Sequence, residues 1–422
     1  MTVPVKASIT MTIKRLVLLP LTASLLAVPA APAAQWYLNP SLSVHGGYND
    51  NIRLTTGSHN AVEELTVSPE LAFGRRTAIS NLSGSVGVDS RHFWGEDGLN
   101  TTDRHLDLSS HYNSSPLTIW RLDGNITRDT TLQSELSDTG VVLQRSPRLK
   151  RSISPSWQYQ WNRKTRLQLG YQYQGVSYPE GTTAGFQDYK TNTANGSLTY
   201  LYDQRNQISG SVAYTDYRTT NGNVTARYAI AQFGGSHAFS QVLSANLAIG
   251  WRRTDTTLKQ QRPIYQIVLT SRGLELRQTG TTTREISNSN NGYVLSGGLT
   301  RKLETGKLSA TVSRNIQPTA YGGVIQTDRL GLSAKRRYSR TFGASLDLSY
   351  YRTRAVSTSV SGLDRNFIRV EPAAHWKLSR WWTIRADYRY TRQQYKNQST
   401  TATQNAFYVT ARYDWPRIAV SR

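Results

Sequence analysis

Along the last hairpin of the chain the side chains obey a period of two. Trp382, Ile384, Ala386, Tyr388 and Tyr390 are apolar or aromatic, while Thr383, Arg385, Asp387, Arg389 and Thr391 between them are polar or charged. Phe407, Val409, Ala411, Tyr413 and Trp415 repeat the rule against Tyr408, Thr410, Arg412 and Asp414. Successive strand side chains point to opposite faces, so each half predicts a strand with one apolar and one wet face. The same alternation recurs from residue 42 onward: 42–48, 65–73, 82–88, 105–112, 120–126, 153–161, 167–173, 194–202, 208–214, 228–239, 243–251, 293–303, 308–312, 330–338, 342–350 and 368–378. With the final pair this makes about 18 segments, within a range of 16–20. Single-chain bacterial outer-membrane barrels have an even strand number.

The connectors decide which face meets lipid. Short ones (162–165, 203–206, 240–242, 304–306, 339–341, 379–380) alternate with long ones (95–103, 131–147, 178–188, 255–289, 317–328, 355–366, 393–405). Tight turns on one rim and long loops on the other are the layout of a transmembrane β-barrel, with both chain ends on the short-turn side. A soluble sandwich also alternates, but it has no reason to sort its loops. So many amphipathic strands would also leave too much wet face for a compact interior. The expectation is an all-β chain: one transmembrane antiparallel up-and-down barrel, apolar parity to lipid and polar parity to the lumen. Trp161, Trp251, Tyr350, Trp376, Trp382, Tyr390 and Trp415 lie near segment ends, where an aromatic girdle belongs. Pro40, Pro69, Pro155 and Pro372 fall in or near strands, where a missing N–H predicts bulges or strand starts. Residues 255–289 hold a strand-like pair of their own, 264–270 and 274–279. Three placements are open for it: above the barrel, folded into the mouth, or added to the strand count.

Composition narrows the class. Mean hydropathy is negative, and a helical membrane protein needs apolar runs of about 20 residues. One apolar stretch stands at the start, where Lys14 and Arg15 precede residues 16–26 and an Ala/Pro-rich exit around Ala31-Pro32-Ala33. Residues 1–34 therefore read as a cleaved secretory signal peptide, with Met11 an alternative start. A signal anchor fits less well, because the apolar core is short. Residues 35–416 are the barrel and 417–422 a short tail. The chain has no Cys, so architecture and not disulfides must stabilise it. The formal charge is +23; setting aside Lys6, Lys14 and Arg15 of the leader leaves +20. Nucleic acid is not expected as a partner of an exported chain, and anionic polysaccharide, lipopolysaccharide or small anions fit the basic balance better.

Candidate chemistry is sparse. His105, Asp107, Ser109 and His111 share one parity, but same-face neighbours spread along a strand, and the first and last are too far apart to hold one ion. His375 sits among Arg369, Glu371 and Lys377 and reads as lumen wall. Tyr48-Asn49-Asp50-Asn51 offers oxygens without the spacing of a calcium loop. No phosphate loop or nucleophile elbow occurs, and the chain is not expected to be an enzyme or to carry a metal or cofactor. The stronger signal is charge on the wet parity. Arg329, Lys335, Arg337, Arg369, Lys377, Arg385, Arg389 and Arg412 fall there, interspersed with Asp347, Glu371, Asp387 and Asp414. On the lumen wall these either select anions or brace the barrel as salt bridges, and both can hold. Arginine grips carboxylate or phosphate in a two-pronged geometry, which suits uronic-acid sugars.

Pro40-Ser41-Leu42, the stretch Gly47-Tyr48-Asn49-Asp50-Asn51-Ile52 and the ending Tyr413-Asp414-Trp415-Pro416-Arg417 resemble the beta-barrel porin 2 type of outer-membrane proteins. The resemblance covers essentially the whole mature chain through short, degenerate motifs. It implies a Gram-negative outer-membrane barrel associated with exopolysaccharide biosynthesis and export or with exosortase systems, and it supplies no catalytic residues. Many such barrels end on an aromatic residue, whereas here residues 416–422 follow Trp415. Phe407, Val409, Tyr413 and Trp415 are then the assembly signal, displaced from the terminus and closing on the first strand. The expected partners are outer-membrane lipid and lipopolysaccharide, the barrel assembly machinery, anionic polysaccharide and a periplasmic export partner. The leading expectation is a channel for an anionic polymer or solute, most plausibly exported exopolysaccharide. A general anion-preferring diffusion porin and a scaffold barrel of a surface-assembly system are its alternatives.

Overall fold

The computed structural model describes residues 34–132, 134, 145–179, 185–270, 273–356, 364–396 and 400–421. The expected leader, residues 1–34, lies outside them except for Ala34. The strands are β1 (Gln35–Asn49), β2 (Val62–Arg76), β3 (Ser80–Trp94), β4 (Thr101–Ser115), β5 (Thr118–Thr130), β6 (Pro147–Gln160), β7 (Thr165–Ser177), β8 (Tyr189–Leu201) and β9 (Asn206–Thr219). They continue as β10 (Val224–Ala238), β11 (Leu243–Thr270), β12 (Gly273–Leu303), β13 (Gly306–Thr319), β14 (Gly323–Arg337), β15 (Phe342–Ala355), β16 (Arg365–Lys377), β17 (Trp382–Tyr395), β18 (Thr401–Asp414) and β19 (Ile418–Ser421). Each of the first eighteen pairs antiparallel with its sequence neighbours, and β18 closes on β1 through Tyr48↔Phe407 and Leu42↔Tyr413. β19 pairs with the start of β1, Leu38↔Ile418 to Gln35↔Ser421. The segment set apart above as a tail therefore continues the last strand past Pro416. The result is a closed up-and-down barrel of 18 strands.

The outward parity is apolar, as a lipid-facing surface must be. Phe233 is 64% exposed, Val212 61% and Leu247 58%. Trp161, Trp376, Trp382 and Trp415 stand exposed around the short-turn rim, and Trp251 stands higher. The short turns are held by their own side chains. In one of them Asp203 accepts from the N–H groups of Arg205 and Asn206, both at 2.7 Å. These bonds, with the Asn206 side chain first, hold its carboxyl below the usual range.

Three of the four prolines mark neither bulges nor strand starts, whereas at Pro40 the register shifts by one residue, from Ser41↔Asp414 to Leu38↔Ile418. Pairing lapses for two residues at Ser68-Pro69 in the β2–β3 ladder, at Ser154-Pro155 in β6–β7 and at Glu371-Pro372 in β16–β17, and it resumes in the same register. One missing N–H removes a rung on one side only. Pro40 sits where the partner of β1 changes from β18 to β19.

The strands run further than their apolar alternation. Residues 317–328, expected as a long loop, are strand, tight turn and strand, with Gly322 at φ +74°. Residues 255–289 are not a loop either: β11 and β12 stay paired to Thr270↔Gly273, with one register shift at Ile264/Tyr265. β10 accompanies β11 only as far as Leu258. The last dozen residues of β11 therefore rise with β12 as a free ribbon about 40 Å long. Of the three placements, this is the one above the barrel.

Candidate functional site: the lumen

Toward the long-loop rim the pattern inverts. Above Tyr214 on β9, Tyr217 faces inward fully buried and Arg218 faces out. Above Phe233 on β10, Ala226 and Val224 face inward and Arg227 faces out. Past the lipid, water surrounds the outside and apolar side chains gain by burial inside. Two apolar clusters stand in the upper lumen as a result.

The first cluster joins Leu54, Val62, Phe93, Leu99 and Leu132, from the first strands and their loops, to Tyr351, Phe367 and Ala402 on the far strands. Tyr351 and Phe367 stack at 4.2 Å. The loop after β1 is drawn in by polar contacts. The Asn51 side chain donates to the Thr403 carbonyl (2.9 Å), Gln404 donates to the Asn51 carbonyl (3.0 Å), and Asp50 accepts from the Asn405 N–H (2.7 Å). The Gly47–Ile52 stretch that carries the family resemblance thus builds this inward fold. The second cluster packs Val176, Tyr178, Phe186, Tyr189, Tyr217, Val224 and Ala226 against Ala320 and Val324 of the β13–β14 hairpin. That hairpin tips across the mouth, and the Gln187 N–H donates to the Ala320 carbonyl at 2.7 Å.

Below the first cluster lies a cavity of about 320 Å³ whose lining includes Glu64, Arg91, Arg145, Arg369, Arg389, Gln404 and Tyr408. Gly47 makes room for the Tyr408 ring, which a Cβ there would overlap. His45 stacks on Tyr408 at 4.8 Å, and the Arg389 guanidinium lies 5.1 Å from the tyrosine centroid. Three of the four arginines are engaged. Arg91 reaches Asp103 (3.2 Å), Glu64 (3.3 Å) and Asp89 (3.7 Å); Arg389 reaches Glu371 (3.1 Å); Arg145 donates to the Asn100 carbonyl (2.9 Å). Arg369 makes no ion pair among the described residues. Its guanidinium lies over the Phe367 ring at 5.2 Å, and its Nε is buried without a hydrogen-bond partner.

The twelve charged positions singled out from the sequence all stand on the inward parity of β14 to β18, but they divide. Arg385 bridges Glu371 (2.8 Å) and Asp387 (2.9 Å). Arg412 bridges Asp414 (2.8 Å) and Glu70 (3.6 Å). These brace the wall. Arg329 lies 5.6 Å over the Tyr351 ring, near the first cluster. Lys335, Arg337, Asp347 and Lys377 lie nearer the short-turn rim, away from the cavity. Phe407, Val409, Tyr413 and Trp415 face outward along β18.

The sequence reading missed the neighbouring stretch of wall across β1. Glu64, Arg91 and Asp103 share the inward parity of β2 to β4, and extending the count past the apolar segments would have found them. Arg365, fully buried, donates to Tyr351 Oη (2.7 Å) and to Gln393, and makes no ion pair among the described residues. On β4, Asp107 takes the Asn125 amide (2.6 Å), Ser109 donates to Asp123 (2.7 Å) and His111 bonds Asn113 (2.8 Å), so these residues do not converge. His375 pairs with Ser345 at 3.3 Å.

No family model and no curated protein matches the chain. Solved structures do. OpdQ of Pseudomonas aeruginosa is 10% identical over 90% of this chain and 98% of its own, with a TM-score of 0.47. OccAB2 of Acinetobacter baumannii is 10% identical over 90% and 98%, at 0.45. The ferric-catecholate import receptor Fiu of E. coli K12 is 10% identical over 89% and 81%, at 0.47. At this distance none of them assigns a substrate, and none bears on the exopolysaccharide association.

Proposed function

We propose that the barrel is an outer-membrane channel for small solutes bearing carboxylate or phosphate, which rest on Arg369 in the cavity during passage. The observation that carries this is the half-buried Arg369, whose Nε has no hydrogen-bond partner and whose guanidinium makes no ion pair among the described residues. A charge withdrawn from water without an ion-pair partner is costly, and an anion entering the cavity would relieve it. Low-dielectric walls keep its field focused on the lumen. No catalytic step enters this reading. An anionic polymer, the expectation raised by the family resemblance, would need both apolar clusters to part along its whole transit, so small solutes fit better.

The test is the reversal potential in a planar bilayer under a salt gradient. The unmodified barrel should prefer anions, and Arg369→Gln should shift the potential toward cations. Arg385→Gln should change selectivity little, because Glu371 and Asp387 already neutralise it, and should lower thermal stability instead. An unmodified barrel without conductance would favour a scaffold closed by its loops. Stranding of anionic polysaccharide in the periplasm on loss of the gene would restore the export reading.

A further inference from the structure

At several places on the upper rim an outward arginine has a carboxylate beside it. Arg218 and Arg227 both reach Asp216 (2.7 and 3.3 Å), Arg253 reaches Asp255 (3.4 Å) and Arg314 reaches Asp328 (2.5 Å). Between β4 and β6 three outward arginines stand together without one. Arg104 stands directly opposite Arg128 in the β4–β5 ladder, and Arg151 stands opposite Ile126, one outward position lower. All three side chains are exposed on the outer face. None makes an ion pair among the described residues.

Like charges directly opposite on one sheet face repel, and an anion between them removes the penalty. Neighbouring strands lie about 4.8 Å apart, so the guanidinium groups of β4 and β5 can grip one phosphate from two sides while that of β6 takes a second. Guanidinium matches phosphate in a two-pronged geometry. Immediately below, Leu108, Leu122 and Ile126 form an exposed apolar strip on the same face. Charge above and apolar surface below fit one amphiphile.

We propose that Arg104, Arg128 and Arg151 bind the phosphates of an outer-leaflet phosphorylated glycolipid, lipopolysaccharide, whose acyl chains lie along Leu108, Leu122 and Ile126. The inference rests on the outer-membrane placement given above. It does not rest on the lumen, because all three arginines face away from it.

The experiment uses the folded full-length barrel in detergent, titrated with lipopolysaccharide, with its dephosphorylated form and with inorganic phosphate. Retained glycolipid and the temperature at which the folded band is lost are read together. The unmodified barrel should retain lipopolysaccharide and be stabilised by it. The triple variant Arg104→Gln/Arg128→Gln/Arg151→Gln should bind roughly a hundredfold more weakly, and the dephosphorylated form should bind the unmodified barrel as weakly. Should the triple not fold, Arg128→Gln alone is expected to weaken binding about fivefold. Arg218→Gln/Arg227→Gln, where both arginines are already paired with Asp216, should bind normally. Unchanged binding by the triple, equal loss in the Arg218/Arg227 pair, or full stabilisation by inorganic phosphate alone would each overturn the proposal. Fractionation with the inner membrane would instead sink the outer-membrane placement, a separate failure.

Discussion

The same strands carry two different proteins, one above the other. In the lower and middle barrel the apolar parity faces out: Val212 and Phe233 meet lipid, and serine, glutamine and charge line the lumen. One or two turns of the alternation higher, Tyr217, Val224 and Ala226 face in and Arg218 and Arg227 face out. The backbone ladder does not change across the boundary; only the solvent does. Burial of apolar surface drives both halves, against lipid below and against the opposite wall above. The upper half thereby narrows a lumen that an 18-strand barrel would otherwise leave wide.

The largest expected effect is in the upper half. Phe367 is buried at the centre of the first cluster, and Phe367→Ala should cost about 3–5 kcal/mol of local stability. Hydrogen exchange should rise at Val62, Phe93 and Tyr351 while amides of the lipid-facing belt stay protected. Equal rises in both zones would mean that the two halves are one cooperative unit.

On the lipid face, Val212→Arg should destabilise the barrel by about 2–4 kcal/mol in denaturant titration in lipid. Arg218→Leu, on the same face but past the boundary, should stay within about 0.5 kcal/mol. Similar costs at both positions would erase the boundary.

Gly322 sharpens the account of closure. Its φ is +74°, and a Cβ there would lie 2.7 Å from Gln187 Oε1. Gly322→Val should cost about 1–3 kcal/mol, lift the β13–β14 turn off its seat and raise single-channel conductance. An unchanged conductance would remove that hairpin from the closure.

The smallest effect belongs to the outer end of the lower half. The Asp203 carboxyl is held below its ordinary range by the Asn206 and Arg205 donors. Its contribution is present above the unfolded pKa and fades as the pH falls through the lower folded value. Asp203→Ala should therefore lower the melting temperature slightly at neutral pH and not at all in strong acid. A difference that persists in acid would assign the effect to packing.

How much of this was legible follows from the same boundary. Parity alone gave the strands, the closure of Phe407–Trp415 on β1 and the inward face of Arg369. The rule used the apolar parity as its guide, and that guide ends where lipid ends. The strands were therefore read short, residues 317–328 became a loop, and the buried Tyr217 and Val224 went unremarked. Side-chain contacts between segments far apart in sequence, such as Asn51 with Thr403, leave no periodic trace at all. The Arg385 and Arg412 bridges were foreseen as one of two options, but the isolation of Arg369 depends on which carboxylates lie within reach, and sequence does not fix that.

A scan of single cysteines along β10 tests the inversion most directly, in a chain with no cysteine of its own. Each position, spin-labelled in lipid, is probed with oxygen and with a water-soluble relaxation agent. The account predicts oxygen contact at Ala231 and Phe233, aqueous contact outside at Arg227 and inside at Gln232, and contact with neither at Val224 and Ala226. Free aqueous contact at Val224 and Ala226, with oxygen still reaching Arg227, would show one continuous lipid-facing wall around an open lumen and contradict it.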